Sequence, residues 1–309
     1  MPILADYAQL TARRFPGGRP PGDAGLVSLV TVCLNAARTI ERTLASIHAQ
    51  RGVAFEHVVV DGGSTDGTLE LVRAQLRPGD WLLSEPDHGI SDALNKGVAL
   101  AAGRAVQFVH ADDWLEPGQI ARACAALDST GADFVFGDLM FHERDGTRFL
   151  YRGEADYARS IGRRMPNLNH PTVLARRDCF ERIGLFDQRY RCAMDYDWFL
   201  RLHLAGGKGV HLPGLRGNMS HDGVSNLRWR RTMREVAEIA QAHGRPAALA
   251  SAEMWYQIGK IAAGRTVKHH AGPLYRLVRR LINPSYRPVA APVAAPMAAT
   301  PGSGLDPAP

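Results

Sequence analysis

The sequence predicts an α/β fold, a mostly parallel sheet flanked by helices, followed by a C-terminal helical extension. Three observations carry this. Short apolar runs alternate with stretches of helical periodicity, the pattern of parallel strands joined by right-handed crossovers. Two runs end in acids, Asp61 and the pair Asp112–Asp113, at the edge where open α/β sheets hold ligands. The length, 309 residues, can bury a sizeable core in one large domain or two modest ones.

Residues 1–25 are Pro/Gly-rich and weakly periodic, so they read as a loose arm. Leu26–Val32 is the first strand and ends at Cys33-Leu34-Asn35. Thr39 is placed to cap a helix whose Ile40, Leu44 and Ile47 share a face. A second strand, His57–Val60, ends at Asp61, and a Gly-rich turn, residues 62–67, leads to a helix carrying Leu69, Val72 and Leu76. Trp81–Leu83 is a short third strand, and Ile90, Leu94 and Val98 mark the next helical face. Ala105–Val109 is the central strand and runs straight into His110-Ala111-Asp112-Asp113. Trp229–Ala242 reads as a helix. Leu274, Leu277, Val278 and Leu281 form an apolar stripe beside Arg276, Arg279 and Arg280. The Pro/Ala-rich residues 283–309 have the composition of a disordered tail.

Hydrophobic content of 45% and charged content of 22% are ordinary for a globular protein. The net charge of +6 is concentrated near the end: seven Lys and Arg lie between Glu253 and Asp306, with no acid among them. The rest of the chain is close to neutral, which argues against nucleic acid as a partner and allows one localised electrostatic contact. That contact is either an anionic membrane surface under the basic helix or, in the alternative, no partner at all, with the stripe packed on the body and its arginines solvated. The four cysteines form no CxxC pair and suggest reduced thiols. No apolar run is long enough to span a bilayer, so a cytoplasmic or peripheral inner-membrane location is expected.

Two adjacent carboxylates at a strand end repel, and a divalent cation removes that cost. Oxygen-only ligation suits Mg²⁺ or Mn²⁺, which also hold substrate phosphates. The alternative for Asp112 and Asp113 is a polar turn. Neither GxGxxG nor GxxxxGK[ST] is present, and the first turn, CLNAART, has no glycine. Asp61 either bonds a base or ribose, or caps its own turn.

Taken together, VSLVTVCLNAARTIERTLASIHAQ, VVVDGGSTDGT, SEPDHGISDALNKGVALAAGRAVQFVHADDWLEPG and NHPTVLARRDCFERIGLFDQRYRCAMDYDWFLRL resemble glycosyltransferase family 2. The likeness spans roughly residues 26–225 and is strongest to members that build bacterial polysaccharides. It implies a GT-A fold over residues 26–227, ahead of a basic helical extension at 228–282, and inverting transfer from a nucleotide sugar. By position, Thr31, Cys33 and Asn35 match the nucleotide-pocket segment, Asp61 the base-contacting acid, Asp112 and Asp113 the metal and diphosphate motif, and Asp195 the catalytic base. His110 stands where Asp or Asn is frequent, and Met194 where Glu is frequent, so the metal-ligand set departs from the usual pattern. The implied donor is UDP- or GDP-linked, and the implied acceptor is a glycan or lipid-linked hydroxyl.

Asp195 and Asp197 are two apart and do not share a helix face. Asp197 has the spacing of a surface ion pair with Arg201, whereas Asp195 serves as base or helix cap. Asp87 flanks the donor sugar or makes an ordinary turn. Asn95 and Lys96 reach a phosphate, or Lys96 lies on a solvated face. His170, before Pro171, borders the acceptor or is structural. His221 is a mobile metal or phosphate ligand or part of a plain loop. A non-catalytic glycan- or nucleotide-binding scaffold is the competing function.

Overall fold

A computed structural model describes residues 7, 10, 13–14, 25–143, 146–220, 228–270 and 286–289. A two-residue strand, β1 (Arg13–Arg14), edges one large sheet. Next come β4 (Trp81–Ser84), β3 (Phe55–Asp61), β2 (Val27–Cys33) and β5 (Ala105–Phe108), in that spatial order, with the last four mutually parallel. β2 is buried at all seven positions because helices cover both faces.

On one face, Ile40 and Leu44 of α1 (Ile40–His48) and Val72 of α2 (Thr68–Gln75) pack on Val59 and Leu82. On the other, Leu94 and Val98 of α3 (Ile90–Leu100) meet Val30 and Val58. Gly97 lets α3 come this close, since a Cβ there would sit 2.3 Å from Val30 Cγ1. Each such buried Leu or Val is worth about 1.5–3 kcal/mol.

Beyond β5 the sheet changes character. Past it lie β9 (Leu174–Arg176), β7 (Phe134–His142), β10 (Gly209–Ser220) and β6 (Asp113–Leu115), in that order. β9 runs antiparallel to both β5 and β7, and β6 antiparallel to β10. The parallel reading therefore holds for the first half, while the second half is mixed. β8 (Arg148–Tyr151) branches from β7. α4 (Gln119–Thr130), α5 (Asp178–Ile183) and α6 (Met194–Leu204) complete the body. An aromatic cluster fills the second half, with Phe180 stacked on Trp198 at 4.6 Å.

Several expectations need correction. The arm is not loose throughout: Arg13 and Arg14 pair with Leu82 and Trp81, and Tyr7 Oη donates to Asp92 at 3.0 Å. No side-chain bond from Thr39 caps α1; its hydroxyl donates to Ala36 O at 3.3 Å. The division at residue 227 does not separate two cores, because Val236 and Ile239 of α7 (Trp229–Ala242) belong to the main core. Within the expected disordered tail, β11 (Tyr286–Val289) pairs antiparallel with β8. α8 (Ala247–His270) packs on α7 through Ala250 and Met254. The stripe at 274–281 and His221 lie outside the described residues.

Candidate active site

The C-terminal ends of β2, β3 and β4 are in register, so Cys33, Asp61 and Ser84 stand abreast. Asp61 is fully buried. Its carboxylate accepts from Ser84 Oγ at 2.8 Å and from the backbone N–H groups of Gly63 and Ser64 at 3.2–3.3 Å. It organises the turn that follows rather than capping α2, whose first N–H, that of Thr68, donates to Asp66 at 3.1 Å. Cys33 turns its thiol toward Asp61 at 3.7 Å, and burial pushes that thiol's pKa up. Thr31 is fully buried, and its hydroxyl is 2.9 Å from His57 Nε2, two residues back from the edge.

Asn35 has φ of 51° and accepts from Thr65 N–H at 2.9 Å, while its own N–H donates to Ser64 Oγ at 2.8 Å. Asn tolerates this left-handed backbone. The first and second strand-end loops thus lock into one shelf. Asp87 lies against that shelf, since a Cβ on Gly62 would meet its Oδ2 at 2.3 Å. Asn95 is buried, and its amide bonds both backbone groups of Phe186, at 2.9 Å each. Lys96 is buried rather than solvated and pairs with Glu85 at 2.8 Å and Asp92 at 3.4 Å.

The segment after β5 gathers the motif residues. Asp113 begins β6 and is 1% exposed, yet neither carboxylate oxygen has a hydrogen-bond partner. Burial pushes its pKa well up, and Asp112 adds to this while Arg42 opposes it. Asp112 beside it is half-buried. Two adjacent carboxylates, one with bare buried oxygens, are the donor set a hard divalent cation completes. His110 is half-buried beside them, and its ring is 5.6 Å from that of His170. Burial pushes the pKa of His170 down to about 3, so it is neutral. Its ring also touches Phe108 and, on α6, Phe199. His170 therefore joins the His110–Asp113 segment to the helix bearing Asp195.

Asp195 is the second residue of α6 and half-buried. Its Oδ1 accepts from Tyr196 N–H at 2.8 Å, and burial raises its pKa to about 6, with a further push from Glu235. Asp197 points elsewhere. It forms the ion pair with Arg201 at 2.8 Å, but it is buried, not at the surface, and lies 3.2 Å from His243.

Sequence reasoning missed Glu235. From α7 it accepts the backbone N–H groups of Arg191, Cys192 and Ala193 at 2.7–3.1 Å and Arg231 Nε at 2.7 Å. That clamp shapes the loop leading to Asp195. Arg191 reaches from the same loop to His88 O, tying it to the Asp87 turn. The available signal was the i,i+4 spacing of Arg231 and Glu235, which marks an ion pair but not its loop. Arg42 was also missed; it stacks over Trp114 at 3.5 Å beside the motif.

A parallel sheet with acids at the ends of β3 and just past β5, continued by a mixed half, is the architecture of GT-A glycosyltransferases. A mannosyltransferase from Pyrobaculum calidifontis, PcManGT, solved with GDP-Man and Mn²⁺, superposes with TM-score 0.56 at 19% identity, covering 91% of this chain and 87% of that one. TarS from S. aureus, in complex with UDP-GlcNAc, superposes with TM-score 0.54 at 20% identity, covering 74% and 70%. The Glycosyl transferase family 2 model matches residues 28–184. A PGL/p-HBAD biosynthesis glycosyltransferase of Mycobacterium bovis (strain BCG / Pasteur 1173P2) is 36% identical over 184 residues, covering 58% of this chain and 70% of the relative. The chain belongs to glycosyltransferase family 2. No helix among the described residues is long and apolar enough to cross a membrane.

Proposed function

We propose that this chain transfers a sugar, with inversion, from a UDP- or GDP-linked donor to a hydroxyl of a glycan or lipid-linked acceptor in cell-surface polysaccharide synthesis. The observation carrying the reading is Asp113, a buried carboxylate with both oxygens unbonded at the sheet's ligand-binding edge. Asp112 and Asp113 would hold Mg²⁺ or Mn²⁺, which when bound neutralises charge growing on the departing diphosphate. The shelf of Asn35, Asp61 and Asp87 orients the nucleotide. Asp195, with its pKa raised to about 6, is ionised at neutral pH yet basic enough to take the acceptor's proton as it attacks. Inversion needs this base on the face opposite the leaving group, and Asp195 stands on a separate helix from the metal motif. The donors bound by TarS and PcManGT support the same class of donor here.

The basic block would bring the enzyme to an anionic membrane surface, where each Lys or Arg adds about 1 kcal/mol. Trp255 and Tyr256 of α8, each 65% exposed, suit the same interface. The test is release of UDP or GDP from a panel of nucleotide sugars with and without Mn²⁺, with the anomeric configuration of the product read by NMR. Metal-independent release, or retention of configuration, would overturn the assignment.

A further inference from the structure

The opposite end of the same strands carries a second cluster. His48 closes α1, Asp80 stands just before β4, and His57 lies on β3. One ligating atom from each falls within 4.8 Å of the others. His57 is fully buried, and its Nε2 is engaged with Thr31 Oγ1 at 2.9 Å. That leaves Nδ1, which is buried and has no hydrogen-bond partner. His48 Nε2 is also buried without a hydrogen bond, 4.0 Å from Asp80 Oδ2. The two rings meet edge to face at 5.8 Å. Asp80 is already fixed in place, accepting His57 N–H at 3.0 Å and Arg77 N–H at 2.9 Å.

We propose that His48, His57 and Asp80 form a cation site for a borderline transition metal, Zn²⁺ foremost, separate from the Asp112–Asp113 pair. Two imidazole nitrogens with one carboxylate suit Zn²⁺ and its transition-metal neighbours, whereas the all-oxygen motif suits Mg²⁺ or Mn²⁺. Burial pushes the pKa of both histidines down, so each offers a free lone pair at neutral pH. The Thr31 hydroxyl holds the His57 ring by its other nitrogen, the supporting bond typical of a metal-bound imidazole. Ligand atoms about 2.1 Å from a tetrahedral ion lie about 3.4 Å apart, so the cluster must close by on the order of 1 Å. His48, with its side chain 18% exposed on the last turn of α1, is the member free to move. Binding would tie the end of α1 to β3 and β4, a structural role outside the sugar-transfer chemistry.

The experiment uses the full chain, stripped with chelator and titrated with Zn²⁺ by calorimetry, with Co²⁺ absorption reporting imidazole ligation. One Zn²⁺ per chain and a raised melting temperature are expected. His48→Gln should weaken binding at least tenfold and remove the Co²⁺ band, while Asp112→Ala should retain both. His48 is chosen over buried His57 so that the variant folds, and circular dichroism checks this. Absence of Zn²⁺ binding by wild type, equal affinity in His48→Gln, or loss of the Co²⁺ band in Asp112→Ala would each overturn the site.

Discussion

Replacing Asp195 by Asn should stabilise this protein while disabling it. The carboxyl has its pKa raised from 3.8 to about 6 in the folded state, so the folded chain binds its proton more tightly than the unfolded chain. Stability therefore falls as pH rises from about 4 to about 6, and it stays at the lower level above that. A shift of about two units corresponds to about 3 kcal/mol, and solvent reaching the half-buried group trims this to about 1–2 kcal/mol. Asn has nearly the same shape, can still accept from Tyr196 N–H and never ionises. At pH 8 Asp195→Asn should melt roughly 2–8 °C higher than wild type, and near pH 4 the gain should vanish as the wild-type group takes up its proton. Turnover at pH 8 should drop by about 10²–10⁴-fold, the scale of lost general-base catalysis. Differential scanning calorimetry at the two pH values, alongside nucleoside diphosphate release, measures both effects. A melting difference independent of pH, or a less stable variant at pH 8, refutes the electrostatic argument. Near-normal turnover refutes the assigned base.

Asp112→Ala should remove Mn²⁺-dependent binding of UDP or GDP in calorimetry while far-ultraviolet dichroism stays unchanged; persistent metal-dependent affinity would count against the motif. Glu235→Gln should cost about 1.5–3 kcal/mol by weakening bonds to charge in the 191–193 clamp, and it should move the acid limb of the rate profile to lower pH, because Glu235 helps hold the Asp195 pKa up. A pH profile that stays in place would show that Glu235 acts on stability alone. Changing Arg276, Arg279 and Arg280 to Gln should abolish sedimentation with anionic vesicles, binding that salt also screens in wild type. Salt-insensitive or absent wild-type sedimentation would end the membrane proposal.

The parallel half was legible because its signals are local. Leu26–Val32 is apolar except at Ser28 and Thr31, and Ile40, Leu44 and Ile47 repeat at helical spacing, so burial follows from short-range pattern. The mixed half was not, because its determinants are distant. β10 carries a register shift between His211 and Arg216, which breaks any simple alternation. At the site, strand-end acids could be read from position alone, but their surroundings could not. Asp197 is buried because His243 arrives from the end of α7, 46 residues later, and no spacing rule foresees that. The contact of Thr31 with His57 depends on the β2–β3 register, which sequence position alone does not give. Glu235 was missed because the loop it clamps lies more than 40 residues earlier.

The strand that begins with Asp113 is short, and its only partner strand among the described residues comes late. Asp113 pairs with Met219 and Leu115 with Gly217, contacts that span roughly a hundred residues of chain. During synthesis the nucleotide half is complete long before β10 has left the ribosome. Until then the segment carrying the aspartate pair has α1 beside it, with Thr43 Oγ1 donating to Asp113 O at 2.7 Å, but lacks its partner strand. Closing so long a loop is entropically slow, so Asp112 and Asp113 should be among the last groups ordered. A partly made chain would then carry a folded Rossmann-like half without the proposed cation site, and competence for transfer would arrive only with the whole sheet.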